Sequence, residues 1–160
     1  NDAAPEAWVA LVRFLAASGE KDEAEAAATE AAKRLKASAE KGGNPPAIAV
    51  ALGACRELVG DTATAETLYR NALKSSPADP AALRHLVDLL RQTHRRADAV
   101  KLLEDTVRGD ATPAVKQWAR RSLAFAKISA EDGHTHVAAA LDLIEENLRE
   151  GGNLLDDRRA

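Results

Sequence analysis

The chain has 160 residues, of which 46% are apolar and only 3% aromatic, and its formal net charge is -3. This charge gives no electrostatic reason to expect nucleic acid or an acidic membrane surface as a partner, and no apolar run is long enough to span a membrane. The single cysteine excludes an internal disulfide and a zinc site built from several thiolates. Because Ala, Leu, Glu, Lys and Arg are abundant and form helices well, we expect an all-α protein.

The positions of proline and glycine divide the chain into eight predicted helices in four pairs. Proline suits the first turn of a helix, where its missing N–H removes no hydrogen bond, and glycine suits the position after a helix. Side-chain oxygens of Asn44, Asp79 and Thr112, each just before a proline, can cap the helices that follow. In chain order the predicted helices are 5–18, 22–40, 45–58, 62–75, 80–92, 96–108, 113–130 and 135–150.

The sequence repeats itself at a spacing of 34 residues. Residue pairs at this spacing include Pro46 and Pro80, Leu52 and Leu86, and Ala65 and Ala99. Between the first and second repeats the spacing is 41, because 39–45 is an insertion. Such self-similarity predicts one solenoid domain of stacked helix pairs over 1–160. Its repeats are about 5–38, 46–79, 80–113 and 114–150, and 151–160 is a tail or the start of a further repeat.

A small-large-small pattern marks the second helix of the second repeat. Ala65, Tyr69 and Ala72 are spaced by four and three, so they share one helical face. We expect the two alanines to let the helices of one pair approach closely and Tyr69 to fill the space toward the next pair. This pattern indicates packing and not catalysis.

These residues resemble the tetratricopeptide repeat, a family with a Leu-Gly pair, a turn glycine and an Ala-Tyr-Ala pattern in each 34-residue unit. The second repeat carries Leu52-Gly53, Gly60, Ala65, Tyr69, Ala72-Leu73 and Pro77. The first carries Trp8, Leu11, Gly19, Ala24 and Ala31, and the third carries Leu83, Leu86, Leu90, Ala99 and Leu103. The fourth is the least regular, with Phe125-Ala126, Gly133, Ala140-Leu141 and Ile144.

The resemblance implies a right-handed α-α superhelix of about four helix pairs that acts as a non-enzymatic protein–protein interaction scaffold. The first helix of each pair is expected to line a concave groove that binds a peptide or protein segment. The implied lining positions are Glu6, Val9, Arg13 and Ala16, then Ala47, Val50, Ala54 and Glu57, then Ala81, Arg84, Asp88 and Arg91, and finally Arg120, Leu123 and Lys127. Candidate binding residues among them are Val9, Arg13, Val50, Glu57, Arg84, Asp88, Arg91, Arg120 and Lys127.

The charges at these positions suggest what the groove would bind. Five basic side chains against three acidic ones indicate a peptide with carboxylates and a few apolar anchors, although a solvated surface would show the same charges. Family members that clamp a C-terminal carboxylate place a Lys and an Asn where this chain has Val9 and Arg13. Their specificity for chaperone tails is therefore not expected here.

Other possible reaction centres have simpler interpretations. The histidines of Glu131–His136 are two positions apart and do not share a helical face, so we interpret this segment as a polar turn and expect no bound metal. The basic segment Arg91–Arg96 is interpreted as a solvated turn. Cys55 is expected to be a small core residue, and Trp8 occupies a core position of its repeat. No phosphate loop, nucleophile elbow or HExxH motif occurs, so we expect neither a cofactor nor an enzyme.

Three alternatives to a peptide-binding scaffold differ in class. Self-assembly would stack exposed repeat ends of two copies, RNA binding would need a basic groove with aromatic stacking, and a zinc enzyme would use His134 and His136. The chain lacks an initiating methionine, and Leu154 and Leu155 could begin another helix, so we expect a segment of a longer repeat protein. Its compartment is left open, with the cytoplasm favoured over the periplasm or secretion.

Overall fold

The computed structural model describes residues 4–40, 42–128 and 136–151. Over these ranges the regular elements are α-helices and no strand is present. The helices are α1 (Pro5–Ala17), α2 (Lys21–Glu40), α3 (Pro45–Leu58), α4 (Thr62–Ser75), α5 (Pro80–Gln92), α6 (Arg96–Arg108), α7 (Pro113–Ile128) and α8 (Val137–Arg149). The all-α prediction is confirmed, and the predicted helix ends lie within two residues of those observed.

Packing divides the chain into two compact units, 1–89 and 90–160, and the division falls inside α5. In the first unit α1 packs against α2 and α3, and α3 packs against α2 and α4. In the second unit α7 packs against α6 and α8. Within each unit these helices pack against others that are close to them in the sequence, as in a helical repeat. The organisation of 1–160 as one repeat domain stays a prediction.

The core of the first unit forms where α1, α2 and α3 meet. Val12 of α1 is fully buried there beside Leu35 of α2 and Leu52 of α3. Two alanines of α2, Ala28 and Ala31, complete the contact with α3. Small side chains on α2 let the neighbouring helices approach closely, and the larger side chains fill the space between them. Trp8, Val9 and Leu68 are partly buried against the edge of this core.

The second unit uses the same combination of small and large side chains. Ala99 and Leu103 of α6 are buried, as are Ala119 and Leu123 of α7 and Ala140 of α8. Alanine thus recurs on each of the three helices at buried positions, and the leucines occupy the volume between them.

The turns between helices need backbone that favours glycine. Gly19 and Gly60 have φ angles of 82° and 86°, in the left-handed region where a side chain costs free energy. His94 stands 34 positions after Gly60 and adopts the same region, with φ of 58°. The equivalence of these two turns in the sequence therefore extends to their backbone conformation.

Two helices of the first unit are capped by aspartate. Asp61 accepts a hydrogen bond from the Thr64 amide at 3.1 Å. Hydrogen bonding with the Thr64 side chain, followed by this bond from the amide, lowers the pKa of the Asp61 carboxyl. Asp79 accepts one from the Ala82 amide at 2.7 Å, as predicted. The predicted cap by Asn44 is wrong, since its side chain makes no capping hydrogen bond. Pro46 has no N–H at the second helical position, but Ala47 keeps one at the third, the position that Asp61 and Asp79 cap in their helices, so the prolines do not explain the missing cap. The cap by Thr112 stays a prediction.

Tyr69 connects three helices of the first unit. Its side chain is fully buried, and its ring lies so close to the α3 backbone that a Cβ built on Gly53 would be 2.4 Å from Tyr69 Cε1. The other side of the ring stacks on His85 of α5, with centroids 5.1 Å apart. Ala65 and Ala72 are buried on the same face of α4. Tyr69 therefore fills the space between α3–α4 and the next helix, as the sequence predicts.

Replacement of Gly53 by alanine should destabilise the protein by about 1–3 kcal/mol, because the added methyl group overlaps the Tyr69 ring. The measurement is the free energy of unfolding in urea. The control is the same change in a Tyr69→Ala background, where the overlap is absent and alanine should be neutral or stabilising by up to roughly 1 kcal/mol through its helix propensity. Equal destabilisation in both backgrounds would contradict the packing described.

Candidate peptide-binding surface

One cavity of the first unit has the form of a small binding groove, with a volume of about 420 Å³. It lies between α1, α3 and the beginning of α5, and its size falls in the range of ligand pockets. We call it the unit 1 groove. Its lining residues are Glu6, Val9, Ala10, Arg13, Ala47, Val50, Ala51, Ala54, Asp79, Ala81 and His85.

The unit 1 groove has an apolar floor and a charged rim. Val50 and Ala54 of α3 are buried in the floor, where Val9 of α1 is partly buried. The alanines that line α3 and α5 are short, so the helix surfaces leave open volume between them. At the rim Arg13 is exposed on α1 and His85 is partly exposed on α5. An aliphatic side chain on the floor could thus be flanked by polar contacts.

Glu57 is held in place by Tyr69, close to the groove residue His85. The Tyr69 hydroxyl donates a hydrogen bond to Glu57 Oε2 at 2.8 Å, and His85 Nδ1 lies 4.0 Å from the same oxygen. Burial, followed by this hydrogen bond, raises the pKa of Tyr69, so the hydroxyl stays protonated and remains a donor. Glu57 was a candidate binding residue by sequence, and the structure gives it a packing role as well.

The structure brings three of the candidate residues, Val9, Arg13 and Val50, together around the unit 1 groove. Arg84 and Asp88 are exposed on α5 and are not among its lining residues. The remaining three candidates, Arg91, Arg120 and Lys127, belong to the second unit.

Lys127 and Arg91 have surroundings of their own in the second unit. Lys127 lines a cavity of about 350 Å³ between α6, α7 and α8, together with Leu123 and with charged residues of the other two helices. The Arg91 guanidinium lies 5.7 Å from the centre of the Phe125 ring, a cation–π contact. Neither residue is part of the unit 1 groove.

Arg120 differs from its predicted position on a concave, accessible surface. Only 4% of its side chain is exposed, because it lies between α7 and α8. Its guanidinium donates to Glu150 Oε2 at 2.6 Å and to Glu146 Oε1 at 2.8 Å, and the first of these hydrogen bonds raises the pKa of Arg120. Asn147, also buried, accepts from the same guanidinium and donates to the Gln117 carbonyl. Arg120 thus joins the two helices of the last pair, and its burial leaves little of the side chain accessible to a ligand.

The irregular fourth repeat explains why the sequence predicts Arg120 on an accessible surface, whereas the structure buries it between α7 and α8. The motif positions that fix the register in the other repeats are weak here, so the inward face of α7 could not be assigned. The missed signal is a pair of glutamates, Glu146 and Glu150, at a spacing of four on α8, where both can reach one guanidinium.

Replacement of Glu150 by glutamine should lower the melting temperature near neutral pH, because Arg120 would lose a charged partner. The hydrogen bond from Arg120 lowers the pKa of Glu150, so the folded state binds this proton less readily than the unfolded state. The stabilisation is therefore complete above the unfolded-state pKa and is lost as the pH falls through the lowered folded-state pKa. Melting of both proteins, followed by circular dichroism across this acidic range, should show the difference disappear.

The matched control is Glu145→Gln, which removes an exposed carboxylate 3.4 Å from Arg149 on the same helix. An exposed pair of this kind contributes little, so the melting temperature should hardly change. If Glu150→Gln behaved in the same way as this control at neutral pH, the proposed role of Arg120 in joining the helices would be contradicted.

The residues that sequence reasoning missed in the unit 1 groove are Ala10, Ala51, Asp79 and His85. Three of them follow a predicted lining residue by four positions, as His85 follows Ala81. The predicted lining positions omit the residue at i+4 from the first position of each helix. A wider stripe at i, i+3, i+4 and i+7 includes these three residues. Asp79 is a capping residue, and its place at the rim depends on how α5 meets α3.

The remaining residues considered in the sequence have ordinary structural surroundings where the structure describes them. No group of three or more possible metal ligands comes together there, and no helix in those ranges is long and apolar enough to cross a membrane. Most of Glu131–His136 lies outside the described residues, including His134. Trp8 is partly buried at the edge of the core, 5.9 Å from the Arg34 guanidinium, and Trp118 is partly buried on α7.

Cys55 is a core residue, as predicted: its side chain is fully buried, and burial raises the pKa of the thiol to about 11. Because the thiolate is the reactive form, the native protein should react very slowly with a disulfide reagent at about pH 8. The measurement is the absorbance of the released thiolate, which should reach one equivalent per chain only after denaturation. Rapid stoichiometric labelling of the native protein would contradict this burial.

In the described ranges α1 packs with α2, α3 with α4 and α7 with α8, which is the arrangement of a helical-repeat protein. Within the chain, residues 59–120 match the family model for the tetratricopeptide repeat. The predicted resemblance to the tetratricopeptide repeat is confirmed over this part of the chain. No curated protein and no solved structure matched the chain. Repeats of this family generally mediate protein–protein interaction as non-enzymatic scaffolds.

Proposed function

We propose that this protein is a non-enzymatic interaction scaffold whose unit 1 groove binds a segment of a partner protein. The observation that carries the proposal is the meeting of α1, α3 and α5 around one apolar cavity. These are the first helices of three successive pairs, which the family resemblance implies as the binding side. The general role of tetratricopeptide repeats in protein–protein interaction supports the same function.

The apolar floor of the groove suits an aliphatic side chain of the partner, which is the main contact that we propose. Val9, Val50 and Ala54 present aliphatic surface and no unpaired polar side chain, so an aliphatic side chain of the partner would be favoured by the hydrophobic effect. A few apolar anchors in a concave site commonly supply most of the affinity for a peptide. The partner segment should therefore contain at least one Leu, Ile or Val that enters the cavity.

The charged rim of the groove suits a second, weaker contact, with a charged side chain of the partner. The sequence predicts an excess of positive charge over four repeats. The unit 1 groove lacks this excess, because its lining includes the basic Arg13 but also the acidic Glu6 and Asp79. Asp79 already accepts the amide of Ala82, whereas Arg13 is exposed and close to the floor. We propose that Arg13 pairs with a carboxylate beside the aliphatic anchor. The two carboxylates at the rim disfavour a phosphate backbone, in keeping with the expectation that nucleic acid is not the partner.

A peptide library tests the proposal without knowledge of the natural partner. Displayed random peptides selected on the wild-type protein should share an aliphatic residue next to Asp or Glu. Ala81→Trp fills the unit 1 groove from an exposed position, so it should weaken binding of a selected peptide by about tenfold or more, measured by fluorescence anisotropy. Arg13→Glu should weaken binding of the acidic peptides in particular.

Two control variants match these changes in chemistry but lie outside the groove. Ala63→Trp adds the same side chain at an exposed position of α4, and Lys36→Glu reverses a charge on the exposed face of α2. Both should bind the peptide as the wild type does. If Ala81→Trp kept wild-type affinity for every selected peptide, the unit 1 groove would not be the binding site.

A further inference from the structure

His85 lines the unit 1 groove and also contacts side chains of two neighbouring helices. Its ring stacks on the ring of Tyr69, and its Nδ1 lies 3.4 Å from the Tyr69 hydroxyl oxygen and 4.0 Å from Glu57 Oε2. The His85 side chain is 39% exposed, so the ring is also accessible to a ligand. This histidine thus connects the packed side chains of α3 and α4 with the surface of the groove.

The Tyr69 hydroxyl has one proton, and Glu57 receives it. Tyr69 donates to Glu57 Oε2 at 2.8 Å, which is much shorter than the 3.4 Å between the hydroxyl oxygen and His85 Nδ1. A hydroxyl that has donated its proton can still accept a hydrogen bond. His85 Nδ1 therefore faces two oxygen atoms that act as acceptors, and a proton on Nδ1 satisfies this arrangement.

This proton determines the state of the other ring nitrogen. A neutral imidazole carries one proton on its two nitrogens, so one of them donates and the other accepts. The contacts of Nδ1 assign the Nδ1–H tautomer to neutral His85 and leave Nε2 as an acceptor. Tyr69 and Glu57 are not among the groove-lining residues, so His85 reaches the groove with an edge of the ring other than the one that carries Nδ1.

A peptide segment that enters the groove brings main-chain N–H groups that need an acceptor. The floor is aliphatic, so an N–H held against it loses its hydrogen bond to water, which costs free energy unless an acceptor replaces the water. Among the described side chains that line the groove, the possible acceptors are Glu6, Asp79 and His85. Asp79 already accepts from the Ala82 amide and Glu6 is exposed, whereas His85 is held in one orientation by the buried Tyr69.

We propose that His85 Nε2 accepts a hydrogen bond from a main-chain N–H of the partner segment, and that Tyr69 and Glu57 are positioning residues that keep Nε2 unprotonated. This inference rests on the proposed function and adds a contact that does not depend on the side chains of the partner. The short side chains of Ala54 and Ala81 let a main chain approach the groove closely. The aliphatic anchor and the carboxylate select the segment, and His85 orients its backbone.

The tautomer of His85 can be measured in the free protein, without a ligand. Long-range proton–nitrogen correlation spectra of the imidazole distinguish protonated from unprotonated nitrogens, at about pH 8, where imidazole side chains are mostly neutral. In the wild type, Nδ1 should be protonated and Nε2 unprotonated. Tyr69→Phe keeps a stacked ring but removes the acceptor hydroxyl, so the fraction of the Nδ1–H form should fall. A wild-type protein with mainly Nε2–H would overturn this inference and leave the proposed function intact.

The hydrogen bond itself is tested with a peptide selected on the wild-type protein and with analogues N-methylated at one amide each. N-methylation removes one N–H donor, so one analogue should bind the wild type about tenfold more weakly than the parent peptide. His85→Phe keeps a ring beside Tyr69 but has no acceptor. This variant should bind the parent about tenfold more weakly and should not distinguish that analogue from the parent. Tyr69→Phe should bind the parent several-fold more weakly, and circular dichroism checks that both variants are folded.

Ala63→Trp, at an exposed position of α4 outside the groove, is the control and should distinguish the analogue from its parent as the wild type does. Wild-type affinity of His85→Phe for the parent peptide would overturn the inference. So would weaker binding by His85→Phe without any analogue whose loss depends on His85, because the donor would not be a main-chain amide. In both cases Ala81→Trp would still weaken binding. If Ala81→Trp leaves the affinity unchanged, the proposed function and this inference are both overturned.

Discussion

Close approach between helices depends here on small side chains that leave room for a large neighbour. Gly53 has no side chain, and the ring of Tyr69 occupies the space where a Cβ would be. The ring then stacks on His85 and its hydroxyl binds Glu57, so one residue of α4 fixes both α3 and α5. The walls of the unit 1 groove come from these same helices. A packing constraint therefore determines the geometry of the candidate binding surface.

Most of the fold of the described residues could be predicted from sequence, because its determinants are local. Proline begins α1, α3, α5 and α7 where its fixed φ suits a helix, and glycine ends helices where the backbone is left-handed. The 34-residue spacing even predicts that His94 takes the place of Gly60, although histidine rarely adopts that conformation. Asn44 is an exception, because it precedes α3 as predicted but its side chain does not cap the helix.

The candidate site could be predicted only in part, because a binding surface depends on how helices meet. A helical stripe on α1 and α3 groups Val9, Arg13 and Val50 in the sequence, and the three residues line one cavity in the structure. Which charged side chains are accessible was harder to predict from the sequence. Arg120 looks accessible in the sequence, but Glu146 and Glu150 of α8 draw it into the last helix pair, and this partner set exists only after α7 and α8 pack. The positive groove expected from the sequence loses part of its charge in this way.

The central claim is that the first helices of successive pairs create an apolar peptide-binding groove. Amide chemical shift mapping by NMR tests it most directly, with a peptide selected on the protein titrated into the labelled chain. The claim predicts that the largest shift changes lie on α1, α3 and the beginning of α5, around Val9, Val50 and Ala81. Changes confined to α6, α7 and α8, or to the outer faces of the helices, would contradict it.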